Sequence, residues 1–311
     1  MTTADIERLD EAKAFSATLS FEALERFHVP FDDLIGNDAT EGRLGPLVRQ
    51  GRRVAVRAAS GEGKSSLITS VLGPLAIGEE SPIFAIPVPV AGAADDTVTS
   101  SEAFFRYLLN VLARWSDRTE LERRDRRRLD RLERDLRDRQ ETRHAGVTIP
   151  LWFLQPDLAR DITTTVSAIG DYADALGTLR RAVELLRTAG KQPIVVFDDT
   201  DAWLQSVELD RKRLASGFFG GPFRTLAKDV DVGIVIAVHN SYADVPEYLA
   251  ARELLDATIE VPRFDGRSHA AFTKILGQRV RQQLGDGVLL AELVETDAIE
   301  QVARFYQAGT G

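Results

Sequence analysis

The residues of this chain that are best suited to chemistry begin with a glycine-bearing segment, AASGEGKS at positions 58–65. It nearly fits the pattern GxxxxGK[ST], in which consecutive backbone N–H groups surround a phosphate. A side chain at Gly63 would obstruct that approach, whereas Lys64 would offer a cation to the β- and γ-phosphates and Ser65 a hydroxyl to Mg²⁺. Ala58 stands where the pattern has its first glycine, which leaves the geometry of the loop entrance open. The segment predicts a phosphate-binding loop, and the alternative is a glycine turn before a helix with an exposed lysine.

The helix predicted to follow this loop would point the positive end of its dipole at the same place. Backbone N–H groups at a helix N-terminus bind anions for this reason. The predicted phosphate-contacting residues therefore run from the loop into the first turn of the helix: Ser60, Gly61, Glu62, Gly63, Lys64, Ser65 and Ser66.

A second group of chemistry-bearing residues follows the apolar run IVVF at 194–197, where the chain continues with Asp198 and Asp199. A continuous apolar run is expected for a strand that is buried on both faces. Such a strand would deliver carboxylates beside the phosphate loop, as a Walker B motif does. Asp198 would then bind Mg²⁺, directly or through water, and Asp199 would polarise the attacking water. The alternative, a helix cap or turn cap, is weaker because the two aspartates end an apolar strand.

Alternating strands and helices must position these two groups. Short apolar runs predict strands at 53–57, 83–90, 194–197, 232–238 and 257–261, and amphipathic or capped segments predict helices at 40–50, 66–72, 100–115 and 174–189. The helix at 66–72 is predicted to end at Gly73 and Pro74, and prolines weaken the strand at 83–90. Continuously apolar strands that alternate with helices indicate a parallel α/β sheet.

The composition excludes several other kinds of site. The chain has 311 residues, no cysteine, and 48 acidic against 39 basic side chains, for a net charge of −9. The lack of cysteine excludes disulfides, thiol nucleophiles and thiolate metal sites, and the four histidines lack the spacing of a zinc site. The acidic balance argues against general coating of nucleic acid, but a local basic patch stays compatible with it. Because no targeting segment or membrane span is evident, a cytoplasmic protein without membrane contact is expected.

Taken together, these motifs resemble those of AAA+ ATPases, in particular the initiator (origin-recognition-like) and transposition-regulator branch. The resemblance covers about residues 28–309. It implies a parallel-sheet P-loop α/β core at 28–264, preceded by an N-terminal helical extension at 1–27 and followed by a partial helical lid at 265–311. The long separation of Lys64 from Asp198 implies a charged helical insertion at about 116–145. The lid is expected to stop before the sensor 2 helix, so no sensor 2 arginine is assigned.

The same resemblance implies roles for residues outside the two motifs. The segment 28–51 resembles the adenine-pocket linker and first helix of that branch, which would place Ile35 and Gly36 by the base. VGIVIAVHN at 232–240 resembles the strand that ends in the sensor 1 residue. Asn240 would then orient the lytic water, and the alternative is an asparagine that starts a turn at a strand end.

An arginine finger is the remaining catalytic group that the resemblance implies. In AAA+ rings it lies just before the fifth strand and reaches the γ-phosphate of the neighbouring subunit. Arg252 is the candidate, with Arg224 as a second one and a plain surface arginine as the alternative. The function implied is a Mg²⁺-dependent ATPase that binds ATP and ADP. It would form homo-oligomers whose ATP sites are completed in trans, and would act as a switch or loader, associated with DNA.

Two other functions fit part of the same pattern. The DDTDAW sequence at 198–203 also resembles STAND signalling or defence NTPases, although Asn240 stands where those proteins usually have an arginine. A nucleotide-binding scaffold with weak hydrolysis is suggested by Ala58 and by Asp199, where many active AAA+ members have the longer glutamate.

Two segments are candidate surfaces for a DNA or protein partner. The first, 117–143, begins at Asp117, ends at Arg143 and contains eleven arginines and nine acidic residues. Acid-to-arginine pairs four residues apart predict an exposed helix or coiled-coil-like protrusion, and an arm that binds DNA or docks a protein is the alternative. The second, GFFGGPF, extends from Gly217 to Phe223. It predicts a hydrophobic turn beneath the sheet, or a loop that faces a partner or a pore.

Overall fold

The fold is seen in a computed structural model, which describes residues 27–36, 40–76, 81–88, 90, 93, 95–116, 172–198, 200, 208–264, 268–285, 290, 297–301 and 304. Several of the predictions made above concern residues outside the described ones. These are the N-terminal extension before Phe27, the charged segment 117–143, Asp199 and most of the DDTDAW sequence around it, and most of the predicted lid after residue 285.

Five strands form one sheet in which every neighbouring pair is parallel. In chain order they are β1 (Arg53–Ala58), β2 (Ile83–Pro87), β3 (Gln192–Phe197), β4 (Gly233–His239) and β5 (Ala257–Glu260). Their order across the sheet is β2-β3-β4-β1-β5. The parallel α/β sheet predicted from the continuous apolar runs is confirmed.

Helices connect and cover the strands. In chain order they are α1 (Phe31–Ile35), α2 (Thr40–Arg49), α3 (Lys64–Ala76), α4 (Asp95–Thr99), α5 (Ser101–Ser116), α6 (Tyr172–Thr188), α7 (Glu208–Phe218), α8 (Arg224–Asp229), α9 (Pro246–Arg252) and α10 (Ser268–Leu284). A π-helical turn (Phe219–Phe223) joins α7 to α8, and a 3₁₀ turn (Asn240–Asp244) follows β4. Within the part of the chain described, no helix has both the length and the apolarity needed to cross a bilayer.

Two predicted boundaries were wrong, both at prolines. Helix α3 begins at Lys64 and continues through Gly73 and Pro74 to Ala76. Pro74 lacks the N–H that would bond the carbonyl of Ser70, but the helix continues past it, next to the buried residues Val71 and Leu72. Strand β2 ends at Pro87 rather than at 90. Among the described residues β2 pairs only with β3, so it is an edge strand of this sheet, the position where proline is tolerated.

The sheet is covered on both faces by separate groups of buried apolar side chains. Along β4, Ile234, Ile236 and Val238 belong to one group, and the alternate residues Val235 and Ala237 belong to the other. Strand residues point alternately to the two faces, so both faces need apolar residues when helices cover both. This double burial explains why the strands are continuously apolar.

The register of the strands determines which residues meet at the carboxyl edge of the sheet. Ala58, the last residue of β1, pairs with His239, the last residue of β4. Phe197 at the end of β3 pairs with Ile236 of β4. The polar residues that follow β1, β3 and β4 therefore emerge side by side, at the edge where parallel α/β sheets bind ligands.

Candidate functional site

The loop between β1 and α3 adopts a conformation that depends on glycine at two positions. Gly61 has a φ of 80° and Gly63 a φ of 93°, in the region that residues with a Cβ rarely adopt. A Cβ on Gly63 would lie 3.5 Å from Cζ of Phe31, so that ring lies directly beside the loop. The glycine spacing predicted from the sequence therefore corresponds to a specific backbone turn at the start of a 13-residue helix.

Lys64 is held inside this turn. Its Nζ donates to the carbonyl oxygens of Ala58 at 3.1 Å and Ala59 at 2.8 Å. The residue is only 6 % exposed, so it is not the surface lysine of the alternative interpretation. The ammonium group is thus placed among the carbonyl oxygens of the loop.

Ser65 and Asp198 meet although they are 133 positions apart in the chain. The Ser65 hydroxyl donates to Oδ1 of Asp198 at 3.0 Å, and Asp198 is buried. Strand β4 separates β1 from β3. The ends of β1 and β4 are level, and β3 ends opposite Ile236, three residues before the end of β4. The structure therefore brings together the two residues that the sequence assigned to Mg²⁺.

The described residues contain no cluster of three or more histidine, aspartate or glutamate side chains suited to a metal ion. A hydroxyl and a carboxylate nevertheless suit Mg²⁺, which binds through one or two protein oxygens and completes its octahedron with water and substrate phosphates. Ser65 and Asp198 supply oxygen ligands of this type.

Glu62 is a site residue whose charge the sequence analysis did not consider. Its carboxylate is buried, and Oε2 accepts a hydrogen bond from the backbone N–H of Ala59 at 2.5 Å. The other oxygen, Oε1, lies 3.4 Å from Nε of Arg263. The carboxylate therefore closes the turn 59–62 from inside and is paired with an arginine that lies 201 positions later. The signal in the sequence that could have identified Glu62 was the presence of a charged residue within the phosphate-loop pattern.

A histidine joins the segment before α1 to the first turn of α3. Nδ1 of His28 lies 2.8 Å from the Ser66 hydroxyl, and Nε2 lies 2.8 Å from Oε1 of Glu41 on α2. The same Glu41 oxygen accepts from the backbone N–H of Phe31 at 2.9 Å. Burial by itself raises the pKa of Glu41, but the hydrogen bonds from His28 and Phe31 outweigh it and leave the pKa below its ordinary value. This linkage was not predicted.

The two residues expected beside an adenine base lie at the end of α1. Ile35 is half-buried and packs against the buried apolar group on the face of the sheet that α3 covers. Gly36 has a φ of 74°. Phe31 lies closer to the loop, since it faces Gly63 and stacks on Phe264 with ring centroids 6.2 Å apart. Helix α10 contacts α1, because Nζ of Lys274 in α10 donates to the carbonyl oxygen of Asp33 in α1.

Asn240 follows β4 directly and begins the 3₁₀ turn, half-buried at the carboxyl edge of the sheet. The preceding His239 accepts a hydrogen bond at Nδ1 from the backbone N–H of Ser241, which caps the turn. The residue after the two aspartates, Thr200, donates to the carbonyl oxygen of Ala237 at 2.7 Å. Asn240 is therefore on the same edge as Asp198 and the loop, as the sensor assignment requires.

Arg252 is not brought to the loop of its own chain. It is exposed in the last turn of α9, and four residues later Asp256 accepts a hydrogen bond from the backbone N–H of Arg53 at 2.7 Å. Arg53 begins β1, whereas the loop follows its other end, about 16 Å away at roughly 3.3 Å per residue. Arg252 thus lies toward the amino edge of the sheet.

The segment 217–223 is helical rather than a loop. Gly217 and Phe218 are the last two residues of α7, and the next five residues form the π-helical turn around Pro222. Proline lacks an N–H, and such turns accommodate a local break in the hydrogen-bond pattern of a helix. Phe218, Phe219 and Phe223 are buried and pack against one another with ring centroids 5.3–5.8 Å apart. Their burial agrees with the interpretation of an apolar turn packed beneath the sheet.

No protein-family model matches this chain, and no curated protein matches it significantly. The assignment of a function therefore depends on the residues and geometry described above.

Proposed function

We propose that this chain is a Mg²⁺-dependent, ATP-binding and ATP-hydrolysing protein of the AAA+ P-loop class. The observation that carries the proposal is the meeting of Lys64, Ser65 and Asp198 at one edge of a parallel sheet. The Ser65–Asp198 hydrogen bond of 3.0 Å joins residues that only the fold brings together. The class assignment itself comes from the resemblance of the two motifs and of the strand that ends at Asn240.

The residues present fit a bound nucleotide. The first N–H groups of a helix such as α3 have no partner within the helix, and the helix dipole favours negative charge there. Lys64 would bind the terminal phosphates, and Ser65 and Asp198 would hold the Mg²⁺. The metal would supply positive charge that stabilises the transferring phosphoryl group. Asn240 would orient water at the same edge, together with Asp199, which lies outside the described residues.

We assign an oligomeric switch or loader role to this ATPase. Arg252 is exposed in the last turn of α9, so it is available to reach the γ-phosphate of a neighbouring subunit. A DNA or protein partner is proposed for the charged segment 117–143. A scaffold that binds nucleotide and hydrolyses it slowly is the second candidate, because the shorter Asp199 would hold the attacking water less closely.

Nucleotide binding by Lys64→Ala, measured by calorimetry with ATP and Mg²⁺, tests the central assignment. We expect a loss of affinity on the order of a hundredfold, because a buried cation is removed from the phosphate site. Lys228→Ala is the matched control, since Lys228 is an exposed lysine near the end of α8. Equal affinities for the wild type and Lys64→Ala would show that this loop does not bind the nucleotide.

Hydrolysis and assembly separate the ATPase from the scaffold. We expect Asp199→Asn to bind ATP but to hydrolyse it at least tenfold more slowly. Arg252→Ala should reduce turnover only in the assembled form, with the exposed Arg49→Ala as its control. Sedimentation with and without ATP and DNA gives the oligomeric state. A monomer that hydrolyses ATP and is indifferent to Arg252→Ala would rule out sites completed in trans.

A further inference from the structure

Glu62 presents an electrostatic problem for the proposed function. It places a buried carboxylate, 2 % exposed, inside the loop that would bind a polyphosphate. Its neighbours in the loop include the buried Lys64, whose ammonium is engaged by the carbonyl oxygens of Ala58 and Ala59. A negative side chain here repels further negative charge, because Coulomb energies are large where water is excluded. Something must offset the charge of Glu62 if phosphates are to bind.

Arg263 is placed to do this. Its Nε lies 3.4 Å from Oε1 of Glu62, an oxygen that has no hydrogen-bond partner among the described residues. The arginine side chain is 45 % exposed, so it pairs with a buried group on one side and reaches solvent on the other. A guanidinium stays protonated at any physiological pH and carries several donors.

Residues on either side of Arg263 in the chain determine its position. Two residues earlier, the backbone N–H of Val261 donates to the carbonyl oxygen of Arg57 at 2.9 Å, which extends β5 alongside β1. The next residue, Phe264, stacks on Phe31, the ring that faces Gly63 of the loop. Arg263 is thus held over the loop by a backbone contact on one side and an aromatic contact on the other.

We infer that Arg263 is a positioning residue for the phosphates of the nucleotide: its guanidinium neutralises Glu62 and so keeps the loop able to accept a polyphosphate. The inference rests on the proposed function. Glu62 in turn shapes the loop, since it binds the Ala59 N–H that closes the turn. The Glu62–Arg263 pair therefore closes the turn of the loop, and the charge of Arg263 offsets the negative charge of Glu62.

The test measures the affinity for ATP with Mg²⁺ in four variants. Arg263→Ala leaves the Glu62 carboxylate uncompensated, so we expect ATP to bind about tenfold more weakly. Arg263→Lys keeps the charge and should remain within about threefold of the wild type. Glu62→Gln/Arg263→Ala should regain most of the lost affinity, because the repulsive charge is gone. Arg180→Ala, which removes a comparably exposed arginine from an ion pair with Asp229, should leave the affinity unchanged.

Thermal unfolding of the nucleotide-free variants gives a readout that does not depend on ATP. We expect Arg263→Ala to unfold at a lower temperature than the wild type, and the double variant to recover. A merely structural role for Arg263 would lower the affinity to the same degree with or without Glu62→Gln, and that result would overturn the inference. Unchanged ATP affinity in Arg263→Ala would overturn it as well.

Failure of the proposed function and failure of the role of Arg263 would give different results. If Lys64→Ala binds ATP as tightly as the wild type, then the loop is not the phosphate site, and both the function and this inference are wrong. If Lys64→Ala loses binding while Arg263→Ala does not, then the function stands and only the role of Arg263 is refuted.

Discussion

Replacing Gly63 with alanine should separate the shape of the loop from the stability of the fold. Gly63 has a φ of 93° immediately before Lys64 and Ser65. Alanine disfavours that conformation, so the backbone would relax and turn the N–H groups at the start of α3 away from a bound phosphate. Gly190→Ala is the matched control, because Gly190 has a φ of 76° in the turn between α6 and β3. That turn precedes β3 and lies at the amino edge of the sheet, opposite the loop.

The magnitudes follow from the surroundings of each glycine. A Cβ on Gly63 would make an ordinary 3.5 Å contact with Phe31, and a Cβ on Gly190 would meet nothing within 4 Å. Neither variant adds a steric clash, so the backbone penalty, about 1–2 kcal/mol for a left-handed residue, dominates in both. Both unfolding temperatures should fall by about 1.5–3 °C, since the unfolding entropy of about 2.1 cal/mol/K per residue grows with the length of the chain. ATP affinity should fall at least tenfold in Gly63→Ala, equivalent to about 1.4 kcal/mol, and should not change in Gly190→Ala.

Thermal unfolding without nucleotide and calorimetric titration with ATP and Mg²⁺ measure the two effects separately. Gly177→Ala serves as a positive control for the unfolding assay. Gly177 lies inside α6, and its added Cβ would meet no atom within 4 Å. Alanine there should raise the unfolding free energy by up to about 1 kcal/mol. A Gly63→Ala variant that loses stability as expected but binds ATP like Gly190→Ala would show that the shape of the loop is irrelevant to binding.

Three further predictions concern the surroundings of the site. Phe219→Ala should lower the unfolding free energy in urea by about 3–5 kcal/mol, since it removes a fully buried ring; a loss below about 1 kcal/mol would show that this aromatic group is loosely packed. Glu41 has a pKa that burial raises but that the hydrogen bonds from His28 and a backbone N–H lower overall. Its contribution to stability is thus present above the pKa of an ordinary glutamate and disappears as the pH falls through the lowered value. The difference in unfolding free energy between wild type and Glu41→Gln should shrink from about pH 7 to about pH 3, and a constant difference would contradict this. Tyr242→Phe should cost about 1 kcal/mol, since the hydroxyl donates to a buried carbonyl at 2.7 Å. The buried hydroxyl of Tyr248 has no partner among the described residues, so Tyr248→Phe should cost nothing or stabilise the fold, and equal losses in the two variants would be inconsistent with these contacts.

Much of the fold could be predicted because it depends on local patterns. The strands are continuous apolar runs, so β1, β3, β4 and β5 were placed to within two residues at each end. The two wrong boundaries involve proline, whose effect depends on context. Helix α3 continues past Pro74 although that residue lacks an N–H, and the edge position of β2 accommodates Pro87. Neither the surroundings of a helix end nor the order of strands in a sheet can be inferred from a few neighbouring residues.

The candidate site was predictable to the extent that its chemistry is carried by contiguous motifs. Lys64, Ser65 and Asp198 were all singled out, and the structure brings them together. The ion pair of Glu62 with Arg263 and the contacts of His28 were not foreseen. Each of these contacts joins segments that are far apart in the chain, and no local pattern specifies its partner.

The sequence by itself determined the backbone of the loop and the class of the fold. Glycine at 61 and 63 permits positive φ values, and continuously apolar strands require a sheet that is buried on both faces. The tertiary structure alone decided which side chains share the site. Placing β4 between β1 and β3 brings Asp198 to Ser65, and extending β5 alongside β1 brings Arg263 to Glu62. The physical reason is that side-chain chemistry is encoded residue by residue, whereas proximity depends on how the whole sheet packs.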